Sequence, residues 1–165
     1  MKALTFAAFL AVASMAYGQQ ENQQEGPDEH HCQMMKHGEQ AMGFSQSKAT
    51  HHFQLTSTGG VIEVQTNDTS DTVIRDQIRQ HLQGISKAFA QGDFSSPMLT
   101  HGRVPRGVPA MQRLKGDLSY RYGETDRGGK VFISAANPEA LKAVHEFLRF
   151  QIEEHRTGDP ETVEK

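Results

Sequence analysis

The stretch HHFQLTSTGGVIEVQT, residues 51–66, decides the fold, because it predicts two strands around one tight turn. Residues 51–56 and 61–66 are strand-like runs that mix β-branched, aromatic and polar side chains. The turn-forming sequence STGG, residues 57–60, separates them. The sequence therefore predicts a β-hairpin at this point.

A helix is predicted directly after the hairpin. Residues 68–71, DTSD, supply N-cap side chains, and apolar residues then recur at helical spacing on one face. These apolar residues are Ile74, Ile78, Leu82, Ile85 and Phe89. Gly92 ends the pattern, so residues of about 50–91 predict one β-β-α unit.

The same plan returns in residues of about 117–156. Two strand-like runs are joined through the sequence DRGG, whose Gly128-Gly129 pair aligns with Gly59-Gly60. Asn137 and Pro138 then supply an N-cap and a proline at the first helical position. The apolar face of this second helix is formed by Leu141, Val144, Leu148 and Ile152. The chain therefore predicts an internal duplication of one β-β-α unit.

The two units are expected to pair, because an isolated two-stranded hairpin is marginal in water. Side by side they form a four-stranded antiparallel sheet with two helices on one face, an α+β fold within residues 48–158. Residues 92–116 are rich in proline and glycine and predict an ordered loop that crosses between the units. Residues 159–165 form a tail. The sequence leaves open which strands of the two units are neighbours.

Residues 1–18 have the pattern of an export signal. Lys2 precedes an apolar run over residues 4–15, and Ala16-Tyr17-Gly18 forms a small-x-small cleavage site before Gln19. The run is too short for a membrane-spanning helix, and no second apolar run of spanning length follows. The sequence therefore predicts a protein that is exported to the periplasm or secreted, without stable membrane insertion.

Residues 19–47 lack the regular patterns of the later chain. Residues 19–29 are polar and predict a disordered spacer, and residues 30–47 are transitional, with a short helix around residues 33–42. Soft metal ligands crowd this segment, with Cys32, Met34, Met35 and His37 as the candidate set. A thiol, thioethers and an imidazole favour Cu(I) over hard cations, so we expect a flexible clamp that captures copper. The alternative is a linker whose methionines fill gaps in the core.

A second candidate metal site consists of His51, His81 and His145. His51 shares strand parity with Phe53, and the other two lie on or beside the apolar faces of the two helices. Three neutral imidazoles with an open position would suit zinc or copper. The alternative is that each histidine lies at the edge of the core and bonds to a protein partner. His155, near the chain end, is predicted to be solvated.

The remaining features narrow the classes of function that the sequence allows. Within residues 92–116, His101, Arg103 and Arg106 form a candidate loop for a small ligand or partner protein. A formal net charge of −3 without a basic stripe argues against nucleic acid. Cys32 is the only cysteine, so a homodimer bridged through it is a further alternative to metal binding. The sequence has no G-x-S-x-G, H-E-x-x-H or phosphate-binding glycine loop, which favours a binding protein over an enzyme.

Several runs resemble a family of small secreted bacterial proteins that has no assigned activity. They are MGFSQ (42–46), THHF (50–53), NPEAL (137–141) and HEFLRFQI (145–152), and the likeness covers residues 38–159. Some members carry the automatic label aspartate carbamoyltransferase. The S-T-R-T and H-P-x-Q motifs of that enzyme's carbamoyl-phosphate site are absent here. The resemblance therefore implies an exported single-domain protein and does not imply carbamoyl transfer.

These features together predict an exported accessory or binding protein that captures a soft metal such as copper. The alternative is a non-metal binding module that contacts a small ligand or a partner protein through its long loop. The metal hypothesis predicts Cu(I) affinity that is lost when the soft-ligand segment is deleted. The module hypothesis predicts that changes in residues 101–111 matter instead.

Overall fold

The structure, a computed structural model, describes residues 27–163. The predicted export signal and residues 19–26 of the predicted spacer lie outside the described residues. The elements are α1 (Pro27–Met42), β1 (Ala49–Thr56), β2 (Gly59–Thr66), α2 (Thr72–Ala90), α3 (Ser95–His101), α4 (Val108–Arg113), β3 (Leu118–Thr125), β4 (Gly128–Ala135) and α5 (Pro138–His155). The predicted α+β fold is confirmed: α2 and α5 pack on a four-stranded antiparallel sheet.

The two hairpins lie side by side with strand order β1-β2-β4-β3. The second strands of the two units therefore form the central antiparallel pair, which the sequence left open. Within this pair Ile62 lies opposite Val131. These residues are equivalent in the two units, because each is two positions after the glycine pair of its own turn. The register thus relates the units by an approximate twofold axis that passes through this residue pair.

The glycine at the start of each second strand is required by the central pairing. A Cβ atom on Gly59 would lie 1.9 Å from the carbonyl oxygen of Ile133, and one on Gly128 would lie 2.2 Å from that of Val64. No side chain fits at such distances, so only glycine lets each turn approach the strand of the other unit. The repeated glycine pair therefore reflects the packing of the two units as well as the turns themselves.

Both long helices begin at their predicted caps and bury their predicted faces, except that Leu141 is only partly buried. The Asp71 carboxylate accepts a hydrogen bond of 3.0 Å from the amide of Ile74, and the Asn137 side chain accepts one of 2.9 Å from the amide of Ala140. The deepest side chains of these helices are Ile78, Leu82, Val144 and Leu148. Full burial of a Leu or Ile side chain is worth roughly 1.5–3 kcal/mol. The core therefore lies between these two helices and one face of the sheet.

Residues 92–116 contain the short helices α3 and α4, where the sequence predicted a crossing loop. Pro97 and Pro109 lie in the first turns of these helices, where a backbone N–H has no partner inside the helix. The prolines that indicated a loop are therefore compatible with helix. Gly102 ends α3 with φ of 63° and Gly107 precedes α4 with φ of 82°, and both values lie in the left-handed region that glycine favours.

Helix α1 begins at Pro27, earlier than the predicted start near residue 33, and packs against α3. Its Met34 side chain is only 2 % exposed. The buried side-chain amide of Gln46 donates a hydrogen bond of 3.0 Å to the carbonyl oxygen of Met35, which ties α1 to the segment before β1. Across residues 27–163, no helix is both long enough and apolar enough to cross a bilayer.

Candidate functional site

A small cavity between the sheet and the helices has a wall that is rich in histidine. Its volume is about 60 Å³. That is space for a few water molecules or an ion with a small ligand, and too little for a drug-sized molecule. The nitrogen and sulfur groups in its wall belong to His51, His81, His101, His155, Gln151 and Met42. Its main apolar residues are Phe53, Ile62, Val64, Leu82, Ile85, Phe89 and Phe147. We call it the imidazole cavity.

Four different elements bring the histidines together. His51 lies on β1 with the same parity as the buried Phe53, so it faces the helices. His81 lies on the buried face of α2, one turn after Ile78. His101 is the last residue of α3, and His155 is the last residue of α5. The cavity therefore forms where the ends of two helices meet the middle of a third above an edge strand.

The imidazole rings contact one another or an aromatic neighbour. His51 and His155 stack with centroids 4.9 Å apart and planes 17° from parallel. His101 meets His155 edge to face, with centroids 5.2 Å apart. The ring of His81 lies 5.9 Å from that of Phe44, also edge to face. His155 is therefore the central ring, with His51 and His101 as its neighbours.

Burial keeps three of these imidazoles neutral at physiological pH. It lowers the pKa of His51 to about 4, with smaller contributions from neighbouring histidines. It also lowers the pKa of His81 to about 4. The pKa of His155 is well below its ordinary value, because of burial and then of the surrounding histidines. A neutral imidazole keeps a lone pair on one ring nitrogen, and this is the form that binds metals.

Gln151 adds a buried amide to the same wall. Its side chain is 4 % exposed, and its Oε1 lies 3.0 Å from Nε2 of His101. Among the described residues no group hydrogen-bonds its Nε2. A flip of the amide exchanges the two atoms, so either of them can be the atom that contacts His101. A buried amide in this position calls for a water molecule or a ligand in the cavity.

The second predicted histidine set comes together only in part. His51 and His81 line the imidazole cavity, whereas His145 does not. The Nε2 atom of His145 donates instead to the carbonyl oxygens of Thr56 at 2.9 Å and Gly59 at 3.1 Å. His145 therefore fastens α5 to the turn of the first hairpin, which is the structural alternative weighed for these histidines. His101 and His155 occupy the cavity in its place.

The prediction that His155 is solvated is wrong. Its ring stacks on His51 and lies 5.5 Å from the ring of Phe53. A signal for this position exists in the sequence, because Leu148, Ile152 and His155 continue the helical spacing of the apolar face. His101 is not on a loop but at the end of α3, and it is 3 % exposed.

Helix α1 spreads out the four residues of the predicted copper clamp. Cys32 is exposed, whereas Met34 is buried. Successive residues of a helix are turned by about 100°, so these two side chains point to nearly opposite sides. Cys32, Met34, Met35 and His37 therefore cannot surround one ion while α1 is helical. Met34 takes the gap-filling role of the alternative hypothesis.

Two residues of the predicted ligand loop attach the α3–α4 segment to α5. Arg103 pairs with Glu154 at 2.6 Å, and Arg106 pairs with Glu153. Both guanidinium groups also lie over the ring of Phe150, with distances to its centroid of 5.0 and 5.8 Å. Both arginines are more than half exposed, so each ion pair contributes at most about 1 kcal/mol. Their contacts favour a positioning role beside His101.

No three His, Cys, Asp or Glu side chains in the described part of the chain are already arranged around a possible metal position. Metal binding in the imidazole cavity would therefore require its rings to turn.

Comparison with known proteins finds no matching family model, no similar curated protein and no similar solved structure.

Proposed function

We propose that this protein is an exported binding protein that captures Cu(I) in the imidazole cavity. The observation that carries the proposal is the convergence of four imidazoles, from four separate elements, on one cavity. A histidine at the edge of a core is common, but four that line a single small cavity are a concentrated donor set. The export signal predicted for residues 1–18 supports a role outside the cytosol.

The chemistry of the wall favours a monovalent soft ion. Imidazole binds copper, zinc and other borderline metals, and the thioether of Met42 adds a soft ligand that favours Cu(I). None of the described residues that line the cavity is Asp or Glu. The cost of burying an ion rises steeply with its charge when no anionic ligand is present. A wall of neutral donors therefore suits Cu(I) better than Zn²⁺ or Cu²⁺.

The ring separations fit a shared ion after rotation of the rings in place. Metal–nitrogen bonds of about 2.0 Å put each imidazole centroid roughly 3.2 Å from the ion. Two such rings at a tetrahedral angle then have centroids about 5 Å apart. The observed separations are 4.9 Å for His51 and His155 and 5.2 Å for His101 and His155. For these two pairs, metal binding therefore requires the rings to turn, while the distances between their centroids need hardly change.

An anaerobic Cu(I) titration against a competing chromophoric chelator tests the proposal. We expect one ion per protein, and at least about tenfold weaker binding in His51→Phe and His81→Phe, because each loses a donor but keeps a ring. Gln54→Ala is the control, since Gln54 is an exposed residue of β1 that lies outside the imidazole cavity. Unchanged binding in both phenylalanine variants would contradict the proposal. Loss of binding in Cys32→Ser instead would move the site to α1.

A second candidate function, binding of a small uncharged molecule, is favoured by the apolar share of the wall and by the partnerless amide atom of Gln151. Mostly apolar pockets with one or two polar groups are typical of ligand sites. Short alcohols would test this in the metal-free protein. A rise in unfolding temperature that Gln151→Leu abolishes would support small-molecule binding, and equal responses of both proteins would reject it.

A further inference from the structure

A second cavity lies beneath α1 and shares a wall with the imidazole cavity. Its volume is about 290 Å³, and its wall includes His31 and Met35 of α1. His51 and His155 line both cavities. Their stacked rings, 4.9 Å apart, therefore belong to the partition between the two spaces. We call the second space the outer cavity.

The outer cavity repeats the donor types of the imidazole cavity. Each has one thioether, from Met35 outside and from Met42 inside, beside the shared imidazole pair. The outer cavity also has His31 of its own, and the imidazole cavity has His81 and His101. The sequence places His31 and Met35 one helical turn apart, so the two side chains lie on the same side of α1. Helix α1 therefore presents one imidazole and one thioether to the partition.

His31 has a ring nitrogen that no described residue contacts by a hydrogen bond. Its Nδ1 is buried and has no hydrogen-bond partner among the described residues. Its ring is also close enough to His155 to contribute to the lowered pKa of that histidine. A buried ring nitrogen without a partner is costly unless a ligand satisfies it. Because His31 lines the outer cavity, a ligand held there could satisfy this nitrogen.

We propose that the outer cavity is an entrance station, where His31 and Met35 hold Cu(I) beside the shared pair His51 and His155 before the ion moves inward. The inference rests on the proposed function of the imidazole cavity. Passage exchanges neutral ligands on one ion, and neither an electron nor a proton is transferred. The shared pair keeps the ion coordinated throughout, which avoids the large cost of a bare ion in an apolar interior.

Stopped-flow mixing of the purified protein with Cu(I), supplied anaerobically as its acetonitrile complex, tests the entrance station. The double variant His31→Leu/Met35→Leu removes both outer donors and keeps apolar bulk on α1. We expect its association and dissociation rates both to fall about tenfold, while its equilibrium affinity stays within about threefold of the wild type. Equal effects on both rates are the signature of a residue on the path rather than at the final site.

Two further variants keep the test decisive. His31→Gln retains a polar side chain and should slow association by about threefold even if the double variant folds poorly. Lys36→Ala is the matched control, because Lys36 is an exposed residue of the same helix, and its rates should equal those of the wild type.

Unchanged rates in both His31 variants would overturn the entrance station and leave the proposed function standing. An affinity that falls as much as the association rate would make His31 a ligand of the final site and would also overturn it. Absence of Cu(I) binding in the wild type would overturn the proposed function itself.

Discussion

The imidazole rings of His51 and His155 stack 4.9 Å apart, although one lies on the first strand and the other ends the last helix. The chain beyond α5 reinforces this contact. Asp159 accepts a hydrogen bond of 2.9 Å from the amide of Phe53, and its other carboxylate oxygen lies 3.0 Å from Nδ1 of His52. The segment after α5 therefore holds the edge strand β1 in place beside the stacked pair. A positive charge on either ring would disturb the stacking of the two imidazoles.

Acid is expected to destabilise the folded protein below about pH 6.5. The pKa values of His51 and His81 fall from 6.5 to about 4 on folding, so the unfolded chain binds protons that the folded chain does not. Their full contribution to the free energy of unfolding is present above about pH 6.5 and is lost as the pH falls toward 4. Within this range the free energy of unfolding falls by up to about 1.4 kcal/mol per pH unit for each histidine. Urea unfolding at about pH 7.5, 6 and 5 measures the slope. His51→Phe should show a smaller slope, and a stability that is equally insensitive to pH in both proteins would contradict the expectation.

His145 is expected to contribute to stability and not to copper binding. His145→Ala removes the donor that bonds the carbonyl oxygens of Thr56 and Gly59, and it should lower the free energy of unfolding by roughly 1–3 kcal/mol. Its Cu(I) affinity should equal that of the wild type. Lys142→Ala, an exposed change on the same helix, is the control and should have little effect on either quantity. A large loss of affinity in His145→Ala would show that the histidine set differs from the one described.

Glycine-to-alanine changes should have opposite effects at two positions. Gly59→Ala places a Cβ atom 1.9 Å from the carbonyl oxygen of Ile133, so it should cost at least about 2 kcal/mol or prevent folding. Gly84→Ala lies on α2, where a Cβ atom meets nothing within 4 Å. There the change should stabilise the protein by about 0.5–1 kcal/mol, because alanine is the better helix former. Chemical unfolding of the two variants gives both values, and similar effects at the two sites would be inconsistent with the central β2–β4 pairing.

Helix α1 is expected to respond differently at Met34 and Cys32. Met34→Ala opens a hole where the side chain is 2 % exposed, which should cost about 2–4 kcal/mol or release the helix. Cys32→Ser changes an exposed side chain and should shift stability by less than about 0.5 kcal/mol. Hydrogen exchange of the α1 amides reports both outcomes. Faster exchange in Cys32→Ser than in Met34→Ala would reverse the assignment of the two faces.

Export predicts the first residue of the processed protein. Cleavage after Gly18 should give a chain that begins at Gln19. Intact mass measurement of the protein recovered outside the cytosol checks this directly. A full-length mass in the cytosolic fraction alone would contradict the export hypothesis.

The fold could be predicted from local patterns because each hairpin and each amphipathic helix has its own sequence signal. The hairpin turns at Gly59 and Gly128 and the caps Asp71 and Asn137 all lie where the sequence places them. The order of the strands could not be predicted, because it depends on the close approach of each turn to the other unit. That approach is a property of the assembled sheet and has no counterpart in either repeat alone.

The candidate site could be predicted only in part for a similar reason. His51 and His81 were identified because strand parity and helical spacing place them beside the core. The sequence predicts His101 as part of a ligand loop and not of the histidine set, because prolines in a first helical turn resemble those of a loop. For His145 the sequence leaves both a metal-binding and a hydrogen-bonding role open, because helical spacing gives the face of a helix but not the carbonyl groups which that face meets. The convergence of the four histidines depends on long-range packing between helices that are distant in the chain.

X-ray absorption at the copper edge of the anaerobic one-to-one complex tests the central claim most directly. Binding in the imidazole cavity predicts a nitrogen shell at about 2.0 Å with the outer-shell scattering of imidazole, and at most one sulfur at about 2.3 Å. In His51→Phe the imidazole scattering should decrease. A first shell dominated by sulfur would place the ion on Cys32 and the methionines of α1 and would contradict the account, as would a spectrum identical to that of Cu(I) in buffer.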